Sequence, residues 1–98
     1  MAQNVPIIIR PDGTTEALAY TPPKDEENSQ EIQASLTTLQ NAVGGYIETV
    51  AVREDDSLIL LVNEDGLSLE LPHNAPASAL AHRHIVGNAI LLPKALLC

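Results

Sequence analysis

A chain of 98 residues with 45% hydrophobic content is long enough to bury one core and too apolar to be disordered. It has no Phe and no Trp, only Tyr20 and Tyr46 as aromatics, and 13 acidic residues against 5 basic ones, for a formal net charge of −8. This excludes a base-stacking platform and a cationic phosphate-gripping patch, so direct nucleic-acid binding is not expected; an acidic surface that imitates DNA or docks on a basic protein stays open.

From the N-terminal side, Val5 to Arg10 is a β-branched run, and Pro11-Asp12-Gly13 is a turn. Thr14 to Tyr20 returns as a weakly patterned second strand. Residues 21–28 form a charged linker, expected to be mobile. Asn28, with Glu31 three residues on, makes a capping-box arrangement. Ile32, Leu36, Leu39 and Val43 follow at helical spacing, and Gly44-Gly45 ends the helix. Tyr46 to Val52 reads as a strand, and residues 53–57 as a polar turn.

Leu58 to Val62 is apolar throughout, as in a strand buried on both faces. Leu67, Leu69 and Leu71 alternate with Ser68 and Glu70, and Asp65-Gly66 is a tight-turn signal, so the two segments are expected to pair as a hairpin. After Pro72, Asn74 can cap a short helix through Ala81, with Pro76 in its first turn. Ile85 to Leu92 is a last apolar strand, interrupted at Gly87-Asn88. The expected fold is α+β: one domain over residues 1–98, a mainly antiparallel sheet of about five to six strands, and one long and one short helix.

Leu58 to Val62 and Ile85 to Leu92 both read as buried on two faces and need cover on two sides, and the helices account for only one. The segment Ala95-Leu96-Leu97 adds apolar surface with no obvious place. An uncovered sheet face is therefore expected, and with it a homodimer or a docked protein partner. The bland alternative is that the two helices and the Thr14 to Pro23 segment take one face each.

Candidate site residues are few. Asn63, Glu64 and Asp65 stand at the expected hairpin tip, where turn chemistry accounts for Asn63 and Asp65 and leaves Glu64 without a structural task. Asn74 is a capping residue or a binding residue. Glu48 shares a strand face with Tyr46, Val50 and Val52, so it needs a partner if that face is covered, and lies in water if the strand is an edge. His73, His82 and His84 could offer zinc an incomplete ligand set, but no Cys pair supports it, and neither metal nor cofactor is expected. The sequence holds no nucleophile elbow, P-loop or dinucleotide fingerprint, so no enzyme is expected. Cys98 permits no internal disulfide, and neither a signal peptide nor a window of about 20 apolar residues is present, so a cytoplasmic setting away from the membrane is expected.

Several stretches together resemble one known family. They are Leu39-Gln40-Asn41-Ala42-Val43-Gly44-Gly45-Tyr46-Ile47-Glu48, then Val62-Asn63-Glu64-Asp65-Gly66, then Leu71-Pro72-His73-Asn74 with Ala77, and Ile85-Val86-Gly87. Ile9-Arg10-Pro11-Asp12-Gly13-Thr14 is similar to its opening hairpin. The pattern resembles the small phage and plasmid proteins grouped as domain of unknown function 3846. That resemblance implies a mobile-element setting and a compact α+β fold, and no chemistry. The expected function is that of a non-enzymatic accessory protein that binds a host or viral protein, for instance in counter-defence. The alternatives are a nucleotide-like small-ligand binder with its pocket at a dimer seam and, third, a hydrolase built on the three histidines.

Overall fold

The structure is a computed structural model that describes residues 6–18, 20 and 29–97, with the side chains of 29–34 and 97 left aside. The linker at 21–28, Asn28 and Cys98 lie outside the described residues. Five strands form one antiparallel sheet: β1 (Ile7–Ile9), β2 (Thr15–Ala17), β3 (Ile47–Ala51), β4 (Leu58–Asn63) and β5 (Ala89–Pro93), in the order β2-β1-β5-β4-β3. Two helices, α1 (Ser29–Val43) and α2 (Ala75–Ala81), complete the α+β fold, and a 3-10 turn covers Lys94–Leu97. Among the described residues, no helix is long and apolar enough to cross a membrane.

The turns are held by local side chains. Gly13 closes the β1–β2 turn at φ +89°, and Arg10 pairs with Glu16 across it. Between β3 and β4, Asp55 accepts from the hydroxyl of Ser57 at 2.6 Å and from its backbone N–H at 2.9 Å, which holds the carboxyl below its usual range. Asp12 is lowered in the same way by Thr14.

The sheet alternates with period two. On one face Val50, Val52, Leu60, Val62 and Ala89 pack with Ala77 and Ala81 of α2 and with Ile85. On the other, Leu61, Ile90 and Leu92 pack against Leu39 and Val43 of α1, flanked by Leu18, Tyr20 and Leu96. Leu60, Leu61, Ile90 and Leu92 are all sealed from solvent at 0–1% exposure. Each helix covers one face. The uncovered face expected from the strand pattern is therefore absent, and Leu96 has a place beside α1. On the α2 side the cover is shared: Ala77 and Ala81 of the helix, Ile85 beyond it and the partly buried Leu80 belong to one cluster with Val50, Val52, Leu60, Val62 and Ala89.

A second expectation also fails. Leu67 to Leu71 is no strand; residues 64–70 form successive turns, with Leu67 72% and Leu69 56% exposed. β3 takes one edge of β4 and β5 the other, which leaves no edge for a hairpin with Leu67–Leu71. Leu69 N donates to Asp65 O, Leu71 N to Gly66 O, and Glu70 takes the left-handed conformation at φ 56°. The last strand starts later than the apolar run suggests, because Gly87 turns at φ +75° and only Val86 makes a bridge, to His73. On α1, the described inward line is Ser35, Leu39 and Val43, and Leu36 falls at the margin at 39% exposure.

Asn74 caps α2 and does more. Its Oδ1 accepts from Ala77 N at 3.1 Å, while Nδ2 donates to Ile9 O and Gly87 O, both at 2.8 Å, with the residue fully buried. Asn74→Ala removes the cap and strands two carbonyls, so a loss of about 3 kcal/mol is expected by chemical denaturation. Asn74→Asp keeps the acceptor but loses both donations and buries a charge, so it should destabilise at least as much at neutral pH.

Candidate functional site

The residues singled out in the sequence converge in part. Glu48, Asn63 and Glu64 line one cleft of about 50 Å³, together with Arg83, His84, Gly66, Leu67 and the aliphatic side chains Val62, Ile85 and Val86. It lies where β3 begins and β4 ends, at the register pairs Ile47–Asn63 and Glu48–Val62. Asn74 lies elsewhere, in the interior, with all its described bonds directed to the framework.

Asn63 is also a framework residue. It is 5% exposed; Nδ2 donates to Val43 O at 3.1 Å and Oδ1 accepts from Asp65 N at 2.8 Å. One amide thus ties the last turn of α1 to the end of β4 and the turn beyond it. Gly44 at φ +81° ends the helix, its N–H bonded to Gln40 O at 2.8 Å. Gly45 is demanded by contact: a Cβ there would stand 2.9 Å from Asn63 Nδ2.

Glu48 sits on the α2 side of edge strand β3, beyond the cover of that helix, and is exposed. Arg83 lies beside it, Nη2 to Oε2 3.6 Å, with side chains 52% and 44% exposed. Such a pair is loose and well solvated. Glu64 is exposed; its backbone N–H donates to Tyr46 O at 2.9 Å, and its carboxylate has no hydrogen-bond or ion-pair partner among the described residues.

The histidines do not assemble into one site. His73 and His84 stack with ring centroids 4.7 Å apart and planes within 6°. His82 ends α2 in the left-handed conformation and approaches Glu54 at 3.8 Å. Among the described residues, no group of three or more His, Cys, Asp or Glu side chains is placed to hold a metal. Ser78 Oγ stands 3.2 Å from His73 Nε2, which superficially resembles a nucleophile and its base. The same hydroxyl, however, donates to Asn74 O at 2.7 Å and accepts from Ile85 N at 2.8 Å, so it is fixed as a connector.

Three exposed groups that the sequence did not mark as site residues share this end of the molecule. Tyr46, Leu67 and Leu69 are 68%, 72% and 56% exposed. The signal for Leu67 and Leu69 was present but read as a buried strand face. Beside Tyr46 an open depression of about 470 Å³ is lined by Gln40, Asn41, Gly44 and Gly45, none of them charged.

The model of one family, Domain of unknown function (DUF3846), matches residues 15–96. The turn Ile9 to Thr14 precedes the matched span. No curated protein and no solved structure matches.

Two substitutions test the junction of α1 with the strands. Gly45→Ala should cost about 2 kcal/mol through its overlap with Asn63. In an Asn63→Ala background the same change should cost less than about 1 kcal/mol, since the obstructing amide is gone. A double-mutant cycle by denaturant unfolding reads the difference, and equal costs in both backgrounds would refute the contact.

Proposed function

The chain belongs to the DUF3846 family, and we propose that it acts by binding a protein partner through the end of the sheet that carries Tyr46, Leu67 and Leu69. The supporting observation is the exposure of Leu67 and Leu69 on turns that are themselves hydrogen-bonded. Two leucines held in water by a defined backbone are a standing cost that contact with another surface would relieve. Glu64, Asp65 and Glu70 are exposed and flank them along the chain, which puts acidic groups next to the apolar ones as at the rim of a protein interface.

A second copy is the poorer occupant. A two-fold contact would set this patch against itself and bring like charges together. A different protein with a basic rim fits better. The uncovered sheet face from which self-association was expected does not exist, so the proposal rests on these turns instead.

No catalysis is part of this reading, and the commitment of Ser78 Oγ and the scatter of the histidines support that. The small-ligand alternative gains little: the cleft is far smaller than the roughly 300–1,000 Å³ typical of ligand pockets, and the larger depression offers a phosphate no cation. A cytoplasmic accessory role in a phage or plasmid, with counter-defence as one form of it, belongs to the same proposal and follows from the resemblance described above.

The test is affinity capture from host lysate with the wild-type chain and with Leu67→Ser/Leu69→Ser. The double variant should unfold within about 0.5 kcal/mol of wild type, because both side chains are exposed. At least one protein should be retained by the wild type and lost with the variant. Identical capture profiles would defeat the proposal.

A further inference from the structure

We propose that the free edge of β3 pairs with the β3 edge of a second copy of this chain, joining two sheets antiparallel about a two-fold axis at Thr49. The inference goes beyond the reading above, because it uses the backbone of β3 and not the leucine-bearing turns, where a second copy was the poorer occupant.

β3 is the last strand of the sheet and pairs on one side only, with β4. Just before it, Glu64 N donates to Tyr46 O at 2.9 Å, which sets the phase of the ladder. Tyr46, Glu48 and Val50 therefore face β4 with their backbone groups, and Ile47, Thr49 and Ala51 turn their N–H and C=O groups to the free edge. Those outward groups have no hydrogen-bond partner among the described residues. An open edge is a template for another strand, and edges that avoid pairing are short, bulged or marked by Lys or Pro. β3 runs for five residues in unbroken register and contains neither Lys nor Pro. The opposite edge, β2, is only three residues long.

The residues of β3 favour a copy of themselves as the occupant. With the axis at Thr49, Ile47 of one copy stands opposite Ala51 of the other, Glu48 opposite Val50, and Thr49 opposite Thr49. Every outward group is then used, a large side chain meets a small one, and threonine pairs well across strands. An axis at Glu48 would set two carboxylates face to face, and an axis at Val50 would leave Ile47 beyond the end of the other strand. The favoured register also brings Arg53 of one copy opposite Gly45 of the other. Gly45 lines the open depression of about 470 Å³ at the C-terminal end of α1. Arg53 is exposed and has no ion-pair partner among the described residues, while the last turn of α1 holds no basic residue. That helix end is partly negative, so each copy supplies the cation that the other lacks.

A contact of one short strand buries less than the roughly 1,200 Å² of stable complexes, so the dimer is weak, with a Kd on the order of 0.1–1 mM. Sedimentation velocity on the whole chain, from about 0.02 to 1 mM at an ionic strength of about 0.15 M, should show a monomer–dimer equilibrium. The amides of Ile47, Thr49 and Ala51 should shift with concentration in the same range.

Thr49→Lys should raise Kd by at least about threefold, because like charges then meet at the axis. The sign is informative: on a chain of net charge −8, an added lysine acting through charge alone would favour association. Thr15→Lys, the same change on the β2 edge, should not weaken the dimer. Arg53→Gln should raise Kd by about threefold through the lost contact with α1. Thr49 and Arg53 are exposed, and spectral dispersion checks the fold of each variant. A monomer at about 1 mM, tighter association by Thr49→Lys, or equal weakening by Thr15→Lys would each overturn the pairing. Loss of the dimer in Leu67→Ser/Leu69→Ser would move the contact to the turns and overturn it too.

Discussion

The fold depends on a neutral amide with no contact to water. Asn74 joins the start of α2 to the backbone of Ile9 at the end of β1 and to Gly87 just before β5. An amide can do this because it accepts once and donates twice without carrying charge. Asp could cap the helix but not donate, and Ser offers one donor where two carbonyls wait. The bond set fixes the start of α2 against the backbone of β1 and of the segment before β5, and Ala77 and Ala81 of the helix are buried in one cluster with Ala89. A larger residue at any of the three would overpack that cluster.

Asn63 performs a parallel task on the other side. It binds the last turn of α1 to the end of β4, and Gly45 is the space it occupies. Each helix is therefore tied to the sheet by one buried asparagine at one of its ends. In sequence, these residues look like surface polar groups in turns, where Asn is common for its own reasons. Their burial is a tertiary fact, set by segments as far apart as Ile9 and Asn74. Capping and turn chemistry were legible for them, whereas the bonds to Val43, Ile9 and Gly87 were not.

What the sequence made legible was local. The C-terminal end of α1 at Gly44, the capping of α2 by Asn74, the double burial of Leu58 to Val62 and the turns at Pro11 to Gly13 and Arg53 to Ser57 each follow from neighbours within a few residues. What it concealed was competition. Leu67 to Leu71 has the alternation of a strand, but β4 has only two edges, and β3 and β5 hold both. Pattern reports what a segment could do, whereas pairing depends on which segment gets there. The covered face was misjudged for a related reason: counting apolar residues in α2 alone leaves out Ile85, which lies beyond the helix in sequence and is buried in the same cluster. Of the candidate site, Glu64 was legible as a carboxylate that no turn requires and Glu48 as one that lies in water if its strand is an edge, and Arg83 beside Glu48 was not, since nothing links residue 83 to residue 48 but the fold.

The failed hairpin also sharpens the functional question. Had Leu67 and Leu69 faced a core, their presence would need no other cause. Outside the sheet, at 72% and 56% exposure, they bury little apolar surface and add little to stability. The backbone bonds of this segment, Leu69 N to Asp65 O and Leu71 N to Gly66 O, need no leucine side chain to form. The shape of the turn and the identity of its side chains are therefore separable, and only the shape is explained by folding. On the proposed reading the identity answers to a partner surface, and the acidic residues that flank the leucines in sequence would favour a basic one.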